Sequence, residues 1–289
     1  MTDVTVVGGG VIGLTAARRL HEAGARVTVI AADPPEDTVS AVAAAVWYPA
    51  HQEADPRVLR WSAAAYQEFT RQAHDGVPGV LLRRTRMLLS TVPWWAAAAG
   101  DVTLLDDELR FTAPLVEMPV YLAWLARGLT IERRRISALD ELPGLVVNAT
   151  GLAARELAGD DAVEPARGQI VLVENPGLDV SIRDESRSLY IHPRSRDVVL
   201  GGTFEQGRGD LTADPAGAEA IRARCVEVEP RLAGARVLGS LIGLRPTRRG
   251  GPRLERQGNI IHCYGHGGAG MTMSWGCADD VMELALRVS

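Results

Sequence analysis

The chain opens on a short apolar run in which Val4, Val6 and Val7 are β-branched, and three glycines, Gly8, Gly10 and Gly13, follow at once. Apolar residues then return at Ile12, Ala16 and Leu20, close to one face of a helix. The pattern predicts a strand, a glycine turn and a helix from Val11 to about Ala23. Gly24 ends that helix, and ARVTVI predicts a second strand.

Farther on, SAVAAAVWYP over residues 40–49 is small and apolar, then aromatic. It suits close backbone packing on a flat ligand or a buried helix. Residues 57–74 read as an amphipathic helix with Val58, Leu59 and Ala65 among its apolar positions. RRTRMLLST (83–91) and LRF (109–111) predict strands, and MPVYLAWLARGL (118–129) a helix with Pro119 in its first turn. GLVVNATG (144–151) is a buried strand ending in a tight turn. GQIVLVE (168–174), SLYIHP (188–193) and DVVLGGTF (197–204) predict further strands, and a helix follows from Pro215 to Val228. Leu241, Ile242, Gly243 and Leu244 form an apolar strand that ends in Arg245. NIIHCYG (259–265) is another strand, before a last helix from about Met271 to Arg287. There is no repeat, low-complexity tail or obvious linker, so two lobes would be interleaved.

Composition narrows the function. The chain has 289 residues, 46% of them apolar, which is enough for a large core. Its net charge of −5 disfavours nucleic acid as a partner, and the short clusters Arg133–Arg135 and Arg248–Arg249 read as solvated edges. No apolar run reaches membrane-spanning length, and MTDVTVV lacks the pattern of a signal peptide. The sequence contains no lysine, which excludes a Schiff-base or Walker A chemistry. Cys225, Cys263 and Cys277 have no C-x-x-C spacing and the histidines no metal motif, so no metal site is expected.

Gly8, Gly10 and Gly13 match G-x-G-x-x-G between a strand and a helix, the setting in which it binds a dinucleotide. The glycines allow a tight turn and a close approach to pyrophosphate, while the helix N-terminus favours negative charge. The acidic residue expected at the end of the second strand is displaced: Ala31 and Ala32 stand there, and Asp33 comes late. Ribose contacts then fall to Asp33, or to backbone with Thr38 and Ser40. A second glycine turn, YGHGGAGMT (264–272), also precedes a helix. Its N-terminus would stabilise negative charge on a reduced flavin. Arg245, at the end of an apolar strand, needs a partner: an internal carboxylate or a carboxylate ligand.

Together these pieces resemble the D-amino acid oxidase family, which also contains D-aspartate oxidase. In order, they are VVGGGVIGLTAARRL, AAAVWYP, YLAWL, LVVNATGLAA, GQIVLV, LYIHPRSRDVVLGGTFEQG, GLRPTR and CYGHGGAGMTMSWGCA. The last three are specific to the family, and the first is shared with many flavin and NAD enzymes. The resemblance implies an α/β fold, with a Rossmann-like FAD-binding lobe interleaved with a mixed-sheet substrate-binding lobe. The FAD lobe is expected at about 1–50, 136–170 and 235–289, and the substrate lobe at about 51–135 and 171–234. FAD is the implied cofactor. It would be held by Gly8, Gly10, Val11, Ile12, Gly13, Thr38, Ser40, Ala45, Val46, Ile136, Thr150, Gly151, Gly243, Gly267, Ala269, Gly270, Met271 and Thr272, with Ala31, Ala32 and Asp33 at the ribose.

By the same resemblance Arg245 binds the substrate α-carboxylate as a two-point fork, Tyr190 adds a second contact, Gly268 accepts from the amine through its carbonyl, and Tyr48 lies near the roof. The implied reaction is hydride transfer from Cα to flavin N5, with no side chain acting as acid or base. Ammonia, a 2-oxo acid and, with oxygen, hydrogen peroxide would be the products. Ala32, Ala269 and Ser186 depart from the family, and the segment before Tyr190 implies a truncated lid. Phe204 stands where aspartate-specific relatives have arginine, so neutral, largely apolar D-amino acids are expected; Arg194 is the residue that could overturn this. The alternatives are a D-aspartate oxidase, a glycine or sarcosine oxidase, a flavin dehydrogenase using another electron acceptor, and a non-enzymatic dinucleotide-binding module. A cytoplasmic bacterial protein, without a membrane or nucleic-acid partner and with a homodimer left open, completes the expectation.

Overall fold

The computed structural model describes residues 2–286. Arg287, the expected end of the last helix, lies outside the described residues.

From the N-terminus the elements are β1 (Asp3–Val7), α1 (Val11–Glu22), β2 (Arg26–Ala31), α2 (Val39–Val42) and α3 (Pro56–His74). Next come β3 (Val80–Leu88), β4 (Thr103–Leu105), β5 (Glu108–Val116), α4 (Met118–Ala126), β6 (Thr130–Arg133), β7 (Leu145–Asn148) and α5 (Ala154–Leu157). The second half holds β8 (Val163–Glu174), β9 (Val180–Asp184), β10 (Leu189–Pro193), β11 (Asp197–Gly201), β12 (Glu205–Gln206) and α6 (Pro215–Val228). It closes with β13 (Val237–Arg248), β14 (Arg253–Gln257), β15 (Ile260–Tyr264) and α7 (Gly270–Leu286). Among the described residues no helix is long and apolar enough to cross a membrane.

These strands form two sheets. The first runs β14-β15-β7-β1-β2-β6, parallel except for β14 at one edge. Val4 and Val6 of β1 and Val146 and Val147 of β7 are buried, as a strand covered on both faces requires. Helices α1 and α3 both pack on α7. The α3–α7 crossing is close enough that a Cβ on Gly276 would lie 2.4 Å from the Trp61 Cα. Parallel strands joined through helices, with the glycine turn after β1, make this the Rossmann-like half of a mixed α/β fold.

The second sheet has nine strands in the order β12-β8-β11-β10-β9-β3-β5-β4, with β13 paired to β8. It is antiparallel except where β3 meets β9. The β8–β13 ladder runs from Val163↔Arg248 to Val173↔Val237, interrupted by a bulge between Val237 and Gly239. Its register sets Gly168 opposite Gly243, and Ala166 opposite Arg245. The expected lobe boundaries put β6 with the substrate lobe and β13 with the FAD lobe; strand pairing puts each in the other sheet. Strand β9 lies in a stretch whose charged residues do not read as a strand.

Candidate functional site

The glycine turn is built by exclusion. Gly8 adopts φ +128°, and a Cβ there would lie 2.3 Å from the Ala149 carbonyl oxygen. A Cβ on Gly13 would lie 2.0 Å from the Gly8 carbonyl oxygen, so α1 can rest against the turn only with glycine there. Gly10, the N-cap of α1, has no capping side chain of its own. Ser40 supplies one from a distance: its Oγ accepts from the Val11 N–H at 3.0 Å.

A cavity enclosing about 1520 Å³ of atom-free space, mouth included, runs from this turn to the second sheet. Of the residues expected to hold the cofactor, Val11, Ile12, Ser40, Ala45, Val46, Gly151, Gly243, Gly267, Gly270, Met271 and Thr272 line it. Gly8, Gly10, Gly13, Ala31, Ala32, Asp33, Thr38, Ile136, Thr150 and Ala269 do not. Gly8 and Gly13 shape the turn from behind. Asp33 is exposed, and its carbonyl oxygen would lie 3.4 Å from a Cβ on Gly9. Thr38 turns its hydroxyl to the Pro35 carbonyl at 2.7 Å, and Thr150 donates to Asn148 Oδ1 at 2.7 Å. Ile136 packs with Val7 and Ile30. The turn, the α1 N-terminus and the small residues along the cavity fit a dinucleotide cofactor.

All four residues expected at the substrate, Arg245, Tyr190, Gly268 and Tyr48, line the same cavity. The Arg245 Nη1 donates to the Thr203 carbonyl at 3.0 Å, and its guanidinium lies 5.5 Å from the centroid of the Phe204 ring. No carboxylate pairs with it among the described residues, so the internal salt bridge is absent. Burial presses its pKa down, while Tyr190 opposes that effect. Tyr190 leans over β11: a Cβ on Gly201 would lie 1.8 Å from its Cζ. Burial raises the Tyr190 pKa against the pull of Arg245, so its hydroxyl stays protonated and able to donate.

Tyr48 is held by Thr272, whose Oγ1 accepts from the Tyr48 N–H at 3.0 Å and donates to the Tyr48 carbonyl at 2.9 Å. The Tyr48 hydroxyl donates to Glu185, and burial raises its pKa. Over its ring, 4.0 Å from the centroid, lies the guanidinium of Arg183. Arg183 is a cavity cation that the sequence reading misses, because it belongs to the unrecognised β9. Its carboxylate partner is Glu185, at 3.7 Å. Arg194, by contrast, is engaged by Asp197 through two contacts of 2.6 Å.

Three histidines also line the cavity: His51, His192 and His266. His192 is buried and stacks on Tyr190 with ring centroids 4.9 Å apart. Burial, then Arg183, presses its pKa down to about 3, so it is neutral. His51 stacks on Phe204 at 4.0 Å, and burial with Arg183 and Arg245 lowers its pKa. The cavity therefore presents two guanidiniums, two tyrosine hydroxyls and neutral imidazoles at one end, and small apolar residues with a glycine turn at the other.

The chain matches the family described as DAO, FAD dependent oxidoreductase, over residues 3–122 and 122–284. It is 47% identical over 309 residues to a protein of Rubrobacter xylanophilus named D-amino-acid oxidase, covering 97% of this chain and 94% of that one. It is 40% identical over 316 residues to a Streptomyces coelicolor protein of the same name, covering 98% and 96%. The crystal structure of glycine oxidase from Geobacillus kaustophilus shares the fold, with a TM-score of 0.80 and 21% identity over 100% of this chain and 96% of that one.

Proposed function

The chain belongs to the DAO family of FAD-dependent oxidoreductases, and we propose that it oxidatively deaminates neutral, largely apolar D-amino acids. The products are a 2-oxo acid, ammonia and, from oxygen, hydrogen peroxide. The glycine turn and the small-residue end of the cavity would hold FAD, which when bound would supply the acceptor for a hydride from the substrate Cα.

The observation that carries this reading is Arg245: a cavity guanidinium with a backbone carbonyl on one nitrogen and no carboxylate partner among the described residues. A planar carboxylate is its best geometric match. The substrate α-carboxylate takes the remaining N–H groups, and the Tyr190 hydroxyl donates to the same group. The Gly268 carbonyl accepts from the amine. Tyr48, locked by Thr272, forms part of the roof. Binding the amine uncharged removes the need for a protein base at Cα. Phe204 beside Arg245 gives an apolar wall to a neutral side chain.

The experiment is an anaerobic titration of the yellow protein, with D-valine and separately with L-valine. Bleaching of the flavin band by the D isomer alone is expected. A flavin that neither isomer bleaches overturns the substrate assignment. Peroxide yield in air then separates an oxidase from a dehydrogenase that uses another acceptor.

A second reading, oxidation of acidic D-amino acids, is favoured by Arg183. A second cavity guanidinium could hold a side-chain carboxylate if Glu185 gives way. The two readings part on one comparison. If D-aspartate is turned over with higher kcat/KM than D-valine, and Arg183→Leu reverses the order, the acidic reading holds.

A further inference from the structure

Under the turn that carries Gly267 and Gly268, two thiols and an imidazole meet in the core. Cys263 comes from β15, His266 from the turn, and Cys277 from α7. They are 1%, 2% and 0% exposed. The His266 Nε2 lies 3.4 Å from the Cys277 Sγ and 4.0 Å from the Cys263 Sγ. All three ligand atoms lie within 4.8 Å of one another, and neither thiol is in a disulfide.

We propose that Cys263, His266 and Cys277 form a binding site for one divalent cation of the zinc class. Geometry is the first reason. Around a tetrahedral zinc with S and N bonds of about 2.0–2.3 Å, ligand atoms stand roughly 3.5–3.8 Å apart. The spacings found need only small side-chain movements to reach that. Ligand chemistry is the second reason: thiolate and imidazole select zinc over magnesium or calcium. Charge is the third. Two thiolates and a divalent ion make a neutral unit, whereas a monovalent ion would leave a net negative charge in the core.

The surroundings agree. Cys263 and His266 also line the main cavity, which offers an entry path for the ion. Loading replaces two S–H bonds by two S–Zn bonds and releases two protons, so affinity rises with pH. Occupancy would tie the Gly267–Gly268 turn to α7. None of this depends on which amino acid is the substrate.

The test uses reduced holoenzyme, produced with zinc in the medium and dialysed against micromolar Zn(II). One zinc per chain is expected, with zinc X-ray absorption giving two sulfurs at about 2.3 Å and a nitrogen at about 2.0–2.1 Å. The Cys263→Ser/Cys277→Ser double variant should keep its flavin colour and lose the zinc. A wild-type protein without stoichiometric zinc overturns the proposal. So does zinc in a shell of nitrogen and oxygen alone, or zinc retained by the double variant. If that variant fails to fold, the absorption spectrum of the wild type decides alone.

Discussion

Gly168 of β8 and Arg245 of β13 compete for one volume: a Cβ on Gly168 would lie 1.9 Å from the Arg245 Nη1. The atom it meets is the far end of a flexible side chain, so the arginine would move and the strands would not. Gly168→Ala is therefore expected to keep its FAD and its Tm while KM rises. Arg245→Ala would remove the proposed carboxylate fork outright. At about 1.5–3 kcal/mol for each charged hydrogen bond, its kcat/KM should fall by roughly 10²–10⁴-fold. Steady-state kinetics beside flavin content checks both, and normal kcat/KM in Arg245→Ala would remove the anchor assignment.

Tyr190 contributes one hydroxyl. Tyr190→Phe keeps the ring stacked on His192 and should lower kcat/KM by about 10–150-fold, the loss of a single hydrogen bond to a charged group. Gly201→Ala should do more damage, because the ring its Cβ would meet is rigid and enclosed. Equal kinetics for wild type and Tyr190→Phe would leave the hydroxyl without a role.

Gly13 differs in kind from Gly168. Its Cβ would meet a backbone oxygen, that of Gly8 at 2.0 Å, which cannot swing aside. Gly13→Ala is expected to purify colourless and to bind added FAD at least tenfold more weakly, as fluorescence titration would read. Retained colour and affinity would place the cofactor elsewhere.

His192 links stability to pH. In the native protein its pKa is pressed from 6.5 to about 3 by burial, while the unfolded chain titrates normally. Between those values the unfolded state binds the extra proton. Stability is thus fully present above pH 6.5 and falls as pH drops toward 3, by at most about 1.4 kcal/mol per pH unit for this one group. Urea midpoints at pH 7 and pH 4.5 would show the loss. His192→Phe, which keeps an aromatic ring against Tyr190, should reduce it; an unchanged pH dependence would assign the loss to other groups.

The two ends of the cavity differ in how far the sequence foretells them. The glycine-turn end rests on short-range pattern: a β-branched run, spaced glycines and an amphipathic helix, each visible within a few residues. Arg245 and Tyr190 are legible because each sits in a distinctive strand motif. What they need around them is not legible. The clearances at Gly168 and Gly201 arise from pairing between strands far apart in the chain. Arg183 stands in a short strand whose last two residues are charged, and its neighbour Asp184 is buried by bonds to Ser186 and Arg187 rather than by apolar contacts. The Cys263–His266–Cys277 cluster escapes for a like reason: its members come from a strand, a turn and a helix, and Cys277 lies eleven residues beyond the Cys263–His266 pair.

The bulge in β13 decides where the protein can lose a residue. A strand shows alternate faces, so removing one residue ahead of Arg245 would normally turn the guanidinium away from the cavity. Val237 pairs with Val173 and Gly239 with Leu172, which leaves Leu238 as the unpaired extra residue. Deleting Leu238 would straighten the ladder and leave Arg245 opposite Ala166. Deleting Ile242, a few residues on, would rotate the end of the strand by half a turn. Length variation in this strand is thus tolerable at one position and ruinous at its neighbours, a constraint on natural drift and on engineering that chemistry at the cavity does not reveal.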